Sequence, residues 1–447
     1  MSRIILLFFL VLTTSSCKKY LELRPDKKQV VAHSLKDYSA LLDGARFINI
    51  GYPDGGEIAS DNLSVTTADY LALPDRTAQN LYTWNADVFN DNESNDWTMP
   101  YQAVLYANTV LEGLQHITPD TESREEWNRL RGAALFFRGL AYFNLAQEFC
   151  APYNAPTAAT DPGIVLRATA AISEASVRAS VQATYDRIRS DLREAATLLP
   201  AAQLFKTRPN KAAAFAALAR TALSCEAYGE AKAWCDSALF YNNALLDYNT
   251  LNASAANPLP RFNAEVLFHA IGGRGILVPP TGKVDSLLYR SYATNDLRRA
   301  LYFKPVSGGF GFYGSYDASA YLFMGIATDE VYLTRAESHA RLGASQAALA
   351  DLNALLVKRF RAGTFVPYTA ATPAEALDKI LVERRKELVF RNLRWSDLRR
   401  LNKDPRYRVT LKRVIGNQVY TLEWNSPRYT FPIPDNVIQR SGIPQNP

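Results

Sequence analysis

The chain is poor in the residues that build metal sites and disulfide scaffolds. Its 447 residues include four cysteines and four histidines. The histidines are far apart and no HExxH sequence occurs; they are His33, His116, His269 and His339. The cysteines form no CxxC pair. Because metal sites and disulfide frameworks need such residues at close, regular spacings, we predict neither a metal nor any other cofactor.

Sequence motifs for nucleotide and nucleophile chemistry are missing as well. The run 308–314 alternates glycine with aromatic residues, and it lacks the Lys-Ser or Lys-Thr pair of a phosphate loop. We expect it to be a loop or hairpin that presents rings, or a set of tight turns filled by core aromatics. The protein is therefore predicted not to be an enzyme. A glycoside hydrolase stays an alternative, because the 44 acidic residues could supply a carboxylate pair.

Charge of one sign does not dominate the chain. Lys and Arg number 50 against 44 Asp and Glu, a formal net charge of +6. Apart from Lys18-Lys19, Lys27-Lys28 and a cluster over 384–413, the basic residues are scattered. A composition with 48% hydrophobic and 21% charged residues is typical of a globular protein. A diffuse surplus of this kind does not predict nucleic-acid binding.

The N-terminus reads MSRIILLFFLVLTTSSC. Its apolar run, residues 4–12, is shorter than the roughly 20 residues that span a bilayer. Small residues followed by Cys17 resemble a bacterial lipobox, in which the signal peptide is cut before the cysteine and lipid is attached to it. We predict a signal peptide over 1–16, Cys17 as the lipid attachment site, and a membrane contact through acyl chains only. An ordinary secretory peptide with a chance cysteine is the alternative.

The remaining chain is predicted to hold a short tether and one body. Residues 17–30 are polar and contain Pro25 near their centre. Residues 31–447 form the body, divided into an N-terminal helical part, 31–245, and a C-terminal part, 246–447. Ser34 can cap a helix that stops at Gly44. The segment 47–99 loses periodicity and is rich in Asn, Asp, Gly and aromatic residues, which is typical of a functional segment or one pinned to the core.

Amphipathic periodicity predicts long helices over most of the rest: 97–116, 122–149, 177–199, 211–228, 230–241, 329–342 and 346–358. The last four form two antiparallel pairs, joined at Gly229 and Gly343, with alanines where the helices cross. This spacing is tetratricopeptide-like, and generic helical hairpins are the alternative. Short strands are expected over 265–269 and in a hairpin over 413–422 around Gly416-Asn417. The predicted fold is mainly α, with tetratricopeptide-like helical pairs supporting a loop-rich, partly irregular half.

Two of the remaining cysteines leave two interpretations open. Cys225 and Cys235 could face each other across a helical hairpin and form a disulfide in an oxidising compartment. They could equally be small buried thiols in helix packing, like Cys150.

Four motifs together resemble the SusD/RagB family of outer-membrane lipoproteins of the Bacteroidetes. They are the start from Cys17 to Leu21, the segments 330–343 and 383–400, and the ending with Phe431-Pro432-Ile433-Pro434 and Gln445-Asn446-Pro447. The resemblance covers the whole chain. It implies a lipid-anchored, surface-exposed protein that captures a nutrient, usually a glycan, and delivers it to a SusC-type TonB-dependent transporter without chemistry. In one respect the chain departs from the family pattern. Acidic residues directly after the lipid-bearing cysteine often accompany export to the cell surface, and here only Glu22 and Asp26 follow Cys17; the departure bears on surface exposure and not on lipid attachment.

The segment 383–400 is rich in Arg and Glu at helical spacings. We interpret it as a network of arginines paired to carboxylates that fixes a helix to the body of the fold; Glu383 and Glu387 lie within reach of residues 385–391 at helical spacings. Ligand binding by this segment is the alternative. A scaffold that binds only proteins fits the helical repeats too, and it is the other alternative to saccharide binding.

A saccharide site is expected among exposed rings. The C–H faces of sugars stack on Trp and Tyr, and their hydroxyls need polar side chains beside the ring. Trp84 is the first choice because it lies outside any periodic segment, although any such ring could instead be part of the core. The predicted ligand-binding residues are Asp61, Asn62, Arg76, Trp84, Asn95, Tyr289, Tyr292, Tyr313 and Tyr316.

Overall fold

The computed structural model describes residues 32–89 and 93–446. Cys17, the predicted signal peptide and the tether lie outside the described residues. Helices dominate, as predicted, and the strands are short. None of the helices within the described part is long and apolar enough to cross a membrane.

The helices, in chain order, are α1 (Leu35–Leu42), α2 (Ala45–Ile48), α3 (Gly55–Ala59), α4 (Thr67–Ala72), α5 (Arg76–Tyr82), α6 (Asn95–Gln115), α7 (Arg124–Phe149), α8 (Val181–Leu198), α9 (Lys211–Ser224), α10 (Tyr228–Tyr241), α11 (Ser286–Ser291), α12 (Arg298–Tyr302), α13 (Thr328–Arg341), α14 (Ser345–Leu356), α15 (Pro373–Glu387), α16 (Arg394–Leu401) and α17 (Asp435–Ser441). Single 3₁₀ turns occur at Tyr248–Thr250, Gly275–Leu277 and Pro427–Tyr429.

Side-chain caps explain where several helices begin. Ser34 and Asp37 form a reciprocal capping box at α1, as the sequence suggested for Ser34. Asn210 accepts a hydrogen bond from the backbone of Ala213 at the start of α9. Thr372 caps α15, whose first residue is a proline. These caps satisfy backbone N–H groups that have no partner within the helix.

The long helices pack in series. Helix α6 contacts α7, α7 contacts α8, α8 contacts α9, and α9 contacts α10; α10 then packs on α13, which contacts α14 and α15. Alanines lie buried where these helices meet, among them Ala213, Ala217, Ala231, Ala238, Ala336 and Ala348. Small side chains allow close approach of the backbones, so the predicted helical pairs α9/α10 and α13/α14 are confirmed.

The turn between α9 and α10 differs from the prediction. Helix α9 ends at Ser224, and Gly229 lies inside α10 rather than at the join. Glu226 has a left-handed φ of 60°, and the Ala227 N–H donates to the carbonyl of Ala222 at 2.9 Å. A non-glycine residue therefore makes the turn that we expected of a glycine.

The strands are β1 (Ile50–Tyr52), β2 (Leu63–Ser64), β3 (Pro162–Val165), β4 (Arg178–Ser180), β5 (Val266–Phe268), β6 (Ile271–Gly272), β7 (Lys283–Val284), β8 (Phe303–Val306), β9 (Gly309–Phe312), β10 (Leu322–Phe323), β11 (Ile326–Ala327), β12 (Leu411–Ile415) and β13 (Gln418–Leu422). One small sheet has the order β1-β6-β10, and the others are the pairs β2-β7, β3-β4, β5-β11, β8-β9 and β12-β13.

The hairpin predicted over 413–422 is present, and the run 308–314 adopts the hairpin that was one of its open alternatives. The glycine-aromatic run supplies β9, which pairs with β8 in the register Phe303↔Phe312 and Val306↔Gly309. Strands β12 and β13 pair from Leu411↔Leu422 to Ile415↔Gln418, and Gly416 makes the turn with a φ of 59°. The run 308–314 is therefore built into a hairpin.

The cysteines that the structure describes are free thiols. Cys150 and Cys235 are buried, and Cys225 is partly buried. The sequence left a Cys225–Cys235 disulfide open, and the structure shows the alternative, thiols in helix packing. Burial raises the pKa of Cys150 and of Cys225 to about 12, so both thiols stay protonated.

Candidate functional site

The Arg- and Glu-rich segment 383–400 is part of a buried ion-pair network. Arg298 is fully buried and its Nη2 lies 2.7 Å from Asp296 Oδ2 and 2.5 Å from Glu383 Oε2. Its Nη1 lies 3.0 Å from Glu387 Oε2. Arg359 contacts the other oxygen of Glu387 at 2.7 Å from its Nε. The network joins remote elements, as a structural role requires.

The local pairing expected within this segment occurs at Glu383 but not at Glu387. Glu387 is held by two arginines from other elements, Arg298 and Arg359. Glu383 pairs with Arg298 and also with Lys386, which lies one helical turn away. The folded chain brings Arg298 from α12 and Arg359 from the turn after α14 onto this face of α15, so helical spacing alone did not decide the partners.

Asp61 also forms ion pairs with arginines. Its carboxylate lies 2.6 Å from Arg394 Nε and 3.2 Å from Arg385 Nη2. Burial alone would raise the pKa of Asp61, but the charges of Arg394 and Arg385 hold it below its ordinary value. This predicted ligand-binding residue therefore links α15 and α16 to the segment after α3.

Three more predicted ligand-binding residues are buried, contrary to the expected exposure. Asn62 donates to Glu57 Oε1 at 3.0 Å. The hydroxyl of Tyr292 donates to the carbonyl of Lys386 at 2.7 Å, and that of Tyr316 donates to Glu265 Oε2 at 2.5 Å. Their polar groups are hydrogen-bonded inside the fold, so that these side chains can be buried without a large desolvation cost.

Trp84 is also buried, with 3% of its surface exposed. Its Nε1 donates to the carbonyl of Ala59 at 2.8 Å, and the guanidinium of Arg413 lies 4.7 Å from its ring centroid. The expectation of an exposed ring is therefore wrong, because an irregular backbone with a φ of 54° at this residue turns the indole into the core.

The other predicted residues lie nearer the surface. Arg76 is exposed and donates to Gln79 Oε1 at 2.9 Å. Asn95 is exposed at the first residue of α6. Tyr289 is half-buried and stacks on Phe310 with ring centroids 3.7 Å apart. Tyr313 is half-buried, with Lys304 Nζ 5.1 Å from its ring. Their role in ligand binding stays a prediction.

Two large clefts are lined by residues of the segment 427–430. The first, the Trp84 cleft, has a volume of ≈ 540 Å³ and lies between residues 81–89 and 427–435; its lining includes Trp84, Val88, Phe89, Arg428, Phe431 and Asp435. The second, the Trp424 cleft, has a volume of ≈ 520 Å³; its lining includes Asn154, Asp161, Arg399, Asn402, Lys403, Trp424, Asn425 and Tyr429. Both are lined by Pro427, Thr430 and Asn446, so they are neighbours.

The C-terminal motif builds the wall that the clefts share. The amide of Gln445 pairs with the backbone of Ile433, accepting from its N–H at 2.6 Å and donating to its carbonyl at 2.9 Å. Asn446 donates to the carbonyls of Phe149 and Phe431 at 3.1 and 2.7 Å. These contacts hold the end of the chain against α7 and leave the clefts open beside it.

Trp424 was not among the predicted site residues. It is half-buried in the coil after β13, and the guanidinium of Arg408 covers one face of the indole with its Cζ 3.8 Å from the ring centroid. A signal for it was present, because Trp424-Asn425-Ser426-Pro427 lies outside the periodic segments, the same criterion that pointed to Trp84.

The two clefts carry side chains that could bind a polar ligand. Rings, amides and charged groups line them, and no set of three or more His, Cys, Asp or Glu side chains with metal-site geometry occurs among the residues that the structure describes. An open cleft that combines an indole with amide groups suits a polar ligand with flat apolar faces, which is the character of a saccharide.

Two family models match the chain. One, described as starch-binding and associating with the outer membrane, matches residues 19–223. The other, for the SusD family, matches residues 328–447. The chain belongs to the SusD/RagB family. The match confirms the resemblance that the motifs in the sequence carried. No curated protein matches the chain.

Solved structures of SusD proteins share this fold over nearly the whole chain. A SusD superfamily protein from Bacteroides thetaiotaomicron VPI-5482 is 20% identical, with a TM-score of 0.76, 93% of this chain and 100% of that chain covered. One from Bacteroides vulgatus ATCC 8482 is 22% identical, with a TM-score of 0.74 and coverage of 93% and 99%. A laminarin-binding SusD-like protein is 19% identical, with a TM-score of 0.66 and coverage of 92% and 97%.

Proposed function

We propose that this SusD-family protein binds a saccharide in the paired clefts beside residues 427–430 and delivers it to a SusC-type transporter in the outer membrane. The observation that carries the proposal is the pair of neighbouring clefts, ≈ 540 and ≈ 520 Å³, walled by the C-terminal motif. The description of the matching family as starch-binding and the laminarin-binding structural neighbour support a saccharide as the ligand.

The Trp424 cleft supplies both kinds of contact that a sugar needs. One face of the indole is covered by Arg408, so a pyranose ring would stack on the other face. Asn154 and Asn425 are exposed in the lining and can hydrogen-bond hydroxyl groups. Wide, open clefts give weak to moderate affinity, which suits a protein that must release its ligand to a transporter. The protein would carry out no chemical step.

Cys17 would provide the anchor. A lipid on this residue keeps the folded body at the outer membrane, and it raises the effective concentration of the body near the transporter. Capture and delivery then take place in one membrane-bound assembly at the cell surface.

Calorimetric titration of the purified full-length protein in detergent tests the proposal, with laminariheptaose and maltoheptaose as probes. We expect saturable binding that Trp424→Ala weakens by about tenfold or more, as loss of a stacked ring does. Trp234→Ala is the matched control, because Trp234 is half-buried against Phe215 and Arg193 and lines neither cleft.

Other outcomes would contradict parts of the proposal. Hydrolysis of either probe would favour the glycoside hydrolase. Co-purification of a protein partner from the outer membrane, with no saccharide bound in any titration, would favour the protein-binding scaffold. Co-purification of a TonB-dependent transporter together with saccharide binding is the expected result.

A further inference from the structure

Arg399 is a buried cation without a carboxylate partner in the described part of the chain. It is 4% exposed, and its side chain donates to the carbonyls of Ala146, Gln147 and Cys150. Its Nε has no hydrogen-bond partner among the described residues. Since a guanidinium stays protonated in proteins, Arg399 keeps a positive charge that forms no salt bridge with a described side chain, and an unpaired buried charge is costly.

Two more buried groups beside Arg399 have unused hydrogen-bonding capacity. Asn402 accepts from the backbone of Val409 through its Oδ1 at 3.2 Å. Its Nδ2 faces the hydroxyl of Tyr429, and neither group has another partner within the described residues. Burial raises the pKa of Tyr429 to about 12, although the interaction with Asn402 by itself lowers it, so the hydroxyl is a neutral donor. Arg399, Asn402 and Tyr429 all line the Trp424 cleft, so the three polar side chains lie together behind its surface.

The remaining charges of the cleft do not cancel that of Arg399. Lys403 is already paired with Glu226, Nζ to Oε1 at 2.5 Å, and Asp161 lies on the half-exposed rim, where Thr157 donates to it at 2.6 Å. Glu148 lies near Arg399, but burial raises the pKa of Glu148 well above its ordinary value, which favours the neutral form. The exposed Arg408 adds a further cation over Trp424.

Arg413 shows that Arg399 differs from a merely structural arginine. Arg413 is also buried and also donates to backbone carbonyls. Its guanidinium, however, lies over the rings of Tyr82 and Trp84, with Cζ 3.6 and 4.7 Å from the two centroids. It lines neither large cleft. Arg399, by contrast, has an Nε without a hydrogen-bond partner among the described residues, and it lines the open Trp424 cleft.

We propose that the Trp424 cleft selects saccharides that carry a carboxylate, with a uronic acid unit stacked on Trp424 and its carboxylate directed toward Arg399, Asn402 and Tyr429. Direct hydrogen bonds or one bridging water would connect the carboxylate to these donors. The inference rests on the proposed function, and it names the substrate class of that site. A carboxylate on a sugar ring suits this cleft better than one on a peptide, because the lining contains both cations, Arg399 and Lys403, and the indole of Trp424. A uronic acid carries a carboxylate and a flat ring face in one unit, whereas an acidic peptide carries only the carboxylate.

Comparison of trigalacturonate with its fully methyl-esterified form tests the inference in calorimetric titrations of the full-length protein. The two trisaccharides share the same rings, and only the acid carries charge. We expect the acid to bind about tenfold tighter at low ionic strength, with the preference shrinking as salt screens the charges. Trp424→Ala should weaken both ligands, because it removes the shared stacking contact.

Two charge variants locate the preference. Arg399→Lys keeps the charge but loses the planar donor group, and it should reduce the preference for the acid several-fold. Lys403→Gln removes a cation from the lining and should reduce it as well. Arg406→Gln is the matched control, because Arg406 is exposed and pairs with Asp378 away from the cleft; it should leave the preference unchanged. The comparison of acid and ester uses the wild-type protein, so the test remains valid even if a variant misfolds.

The outcomes separate this inference from the proposed function. Equal affinity for acid and ester, or binding of laminariheptaose but not of trigalacturonate, overturns the carboxylate preference and leaves saccharide binding intact. Absence of binding by any saccharide overturns both. Tighter binding of triglutamate than of trigalacturonate would identify the ligand as an acidic peptide and would overturn the inference.

Discussion

Arg400 and Glu337 form a buried bidentate ion pair, with Nη1 2.5 Å from Oε1 and Nη2 2.7 Å from Oε2. Arg400 lies in α16 and Glu337 in α13, so the pair joins two of the four segments on which the family resemblance depended. Asp397 contacts Arg400 as well, and it is shared with Arg384. The motifs are therefore neighbours in space, and their charged residues hold the helices of the C-terminal part together.

Loss of this pair should be strongly destabilising. Arg400→Met leaves the Glu337 carboxylate buried without its bidentate partner, and we expect the free energy of unfolding to fall by about 3–5 kcal/mol. Urea unfolding followed by circular dichroism measures it. Arg406→Met is the control, because the pair Arg406–Asp378 is exposed and should change stability by less than about 1 kcal/mol. Equal effects of both variants would show that the buried network contributes no more than a surface pair.

Glu148 should make stability depend on pH. Burial raises its pKa in the folded state well above the usual value of 4.5, and its Oε2 has no partner within the described residues. Because the folded state retains a proton that the unfolded state releases, stability is fully present below pH 4.5 and falls as pH rises toward the folded-state pKa. Glu148→Gln keeps an acceptor for the N–H of Gly56, which lies 3.0 Å from Oε1, and removes the titration.

Urea unfolding of both proteins at several pH values above 4.5 measures the difference. The slope of the unfolding free energy against pH should be more negative in the wild type, by at most about 1.4 kcal/mol per pH unit for one proton. Parallel slopes would show that Glu148 titrates at the same pH in the folded and unfolded states.

Trp84→Ala should act on stability. The substitution removes a buried ring, its hydrogen bond to Ala59 and its contact with Arg413, so we expect a loss of about 3–5 kcal/mol in the free energy of unfolding. Trp424→Ala removes a half-buried ring and should cost clearly less. Thermal unfolding of the two variants compares them directly. A larger loss of stability in Trp424→Ala than in Trp84→Ala would contradict the assignment of Trp84 to the core and of Trp424 to the ligand site.

Cys17 should carry the lipid. Metabolic labelling with a clickable fatty acid is expected to mark the wild-type protein and to leave Cys17→Ala unlabelled, with Cys225→Ala as the control that keeps the label. The unlabelled variant should also leave the membrane fraction, because acyl chains would be its membrane contact. Label that survives Cys17→Ala would contradict the lipobox interpretation and support an ordinary signal peptide.

The long helices could be predicted closely from the sequence, whereas the partners of the charged residues could not. Apolar periodicity and caps act within one helix, so α7 and α14 lie near their predicted positions. Helical spacing offers only neighbours a few residues away as ion-pair partners. The contact between Glu383 and Arg298 spans 85 residues, and nothing local in either segment indicates it.

The sequence by itself determined the helical architecture, the family and the expectation of a lipid anchor, because each depends on short-range patterns of residue types. It could not tell Trp84 from Trp424, since both lie outside periodic segments. The tertiary structure decided that Trp84 is buried and that Trp424 is half-buried, because the burial of a side chain depends on which distant segments pack around it. The Trp424 cleft forms where residues 151–162, 399–403 and 424–430 come together with Asn446. Arg399 has no carboxylate partner among the described residues because of how these distant segments pack, which no local pattern in the sequence indicates.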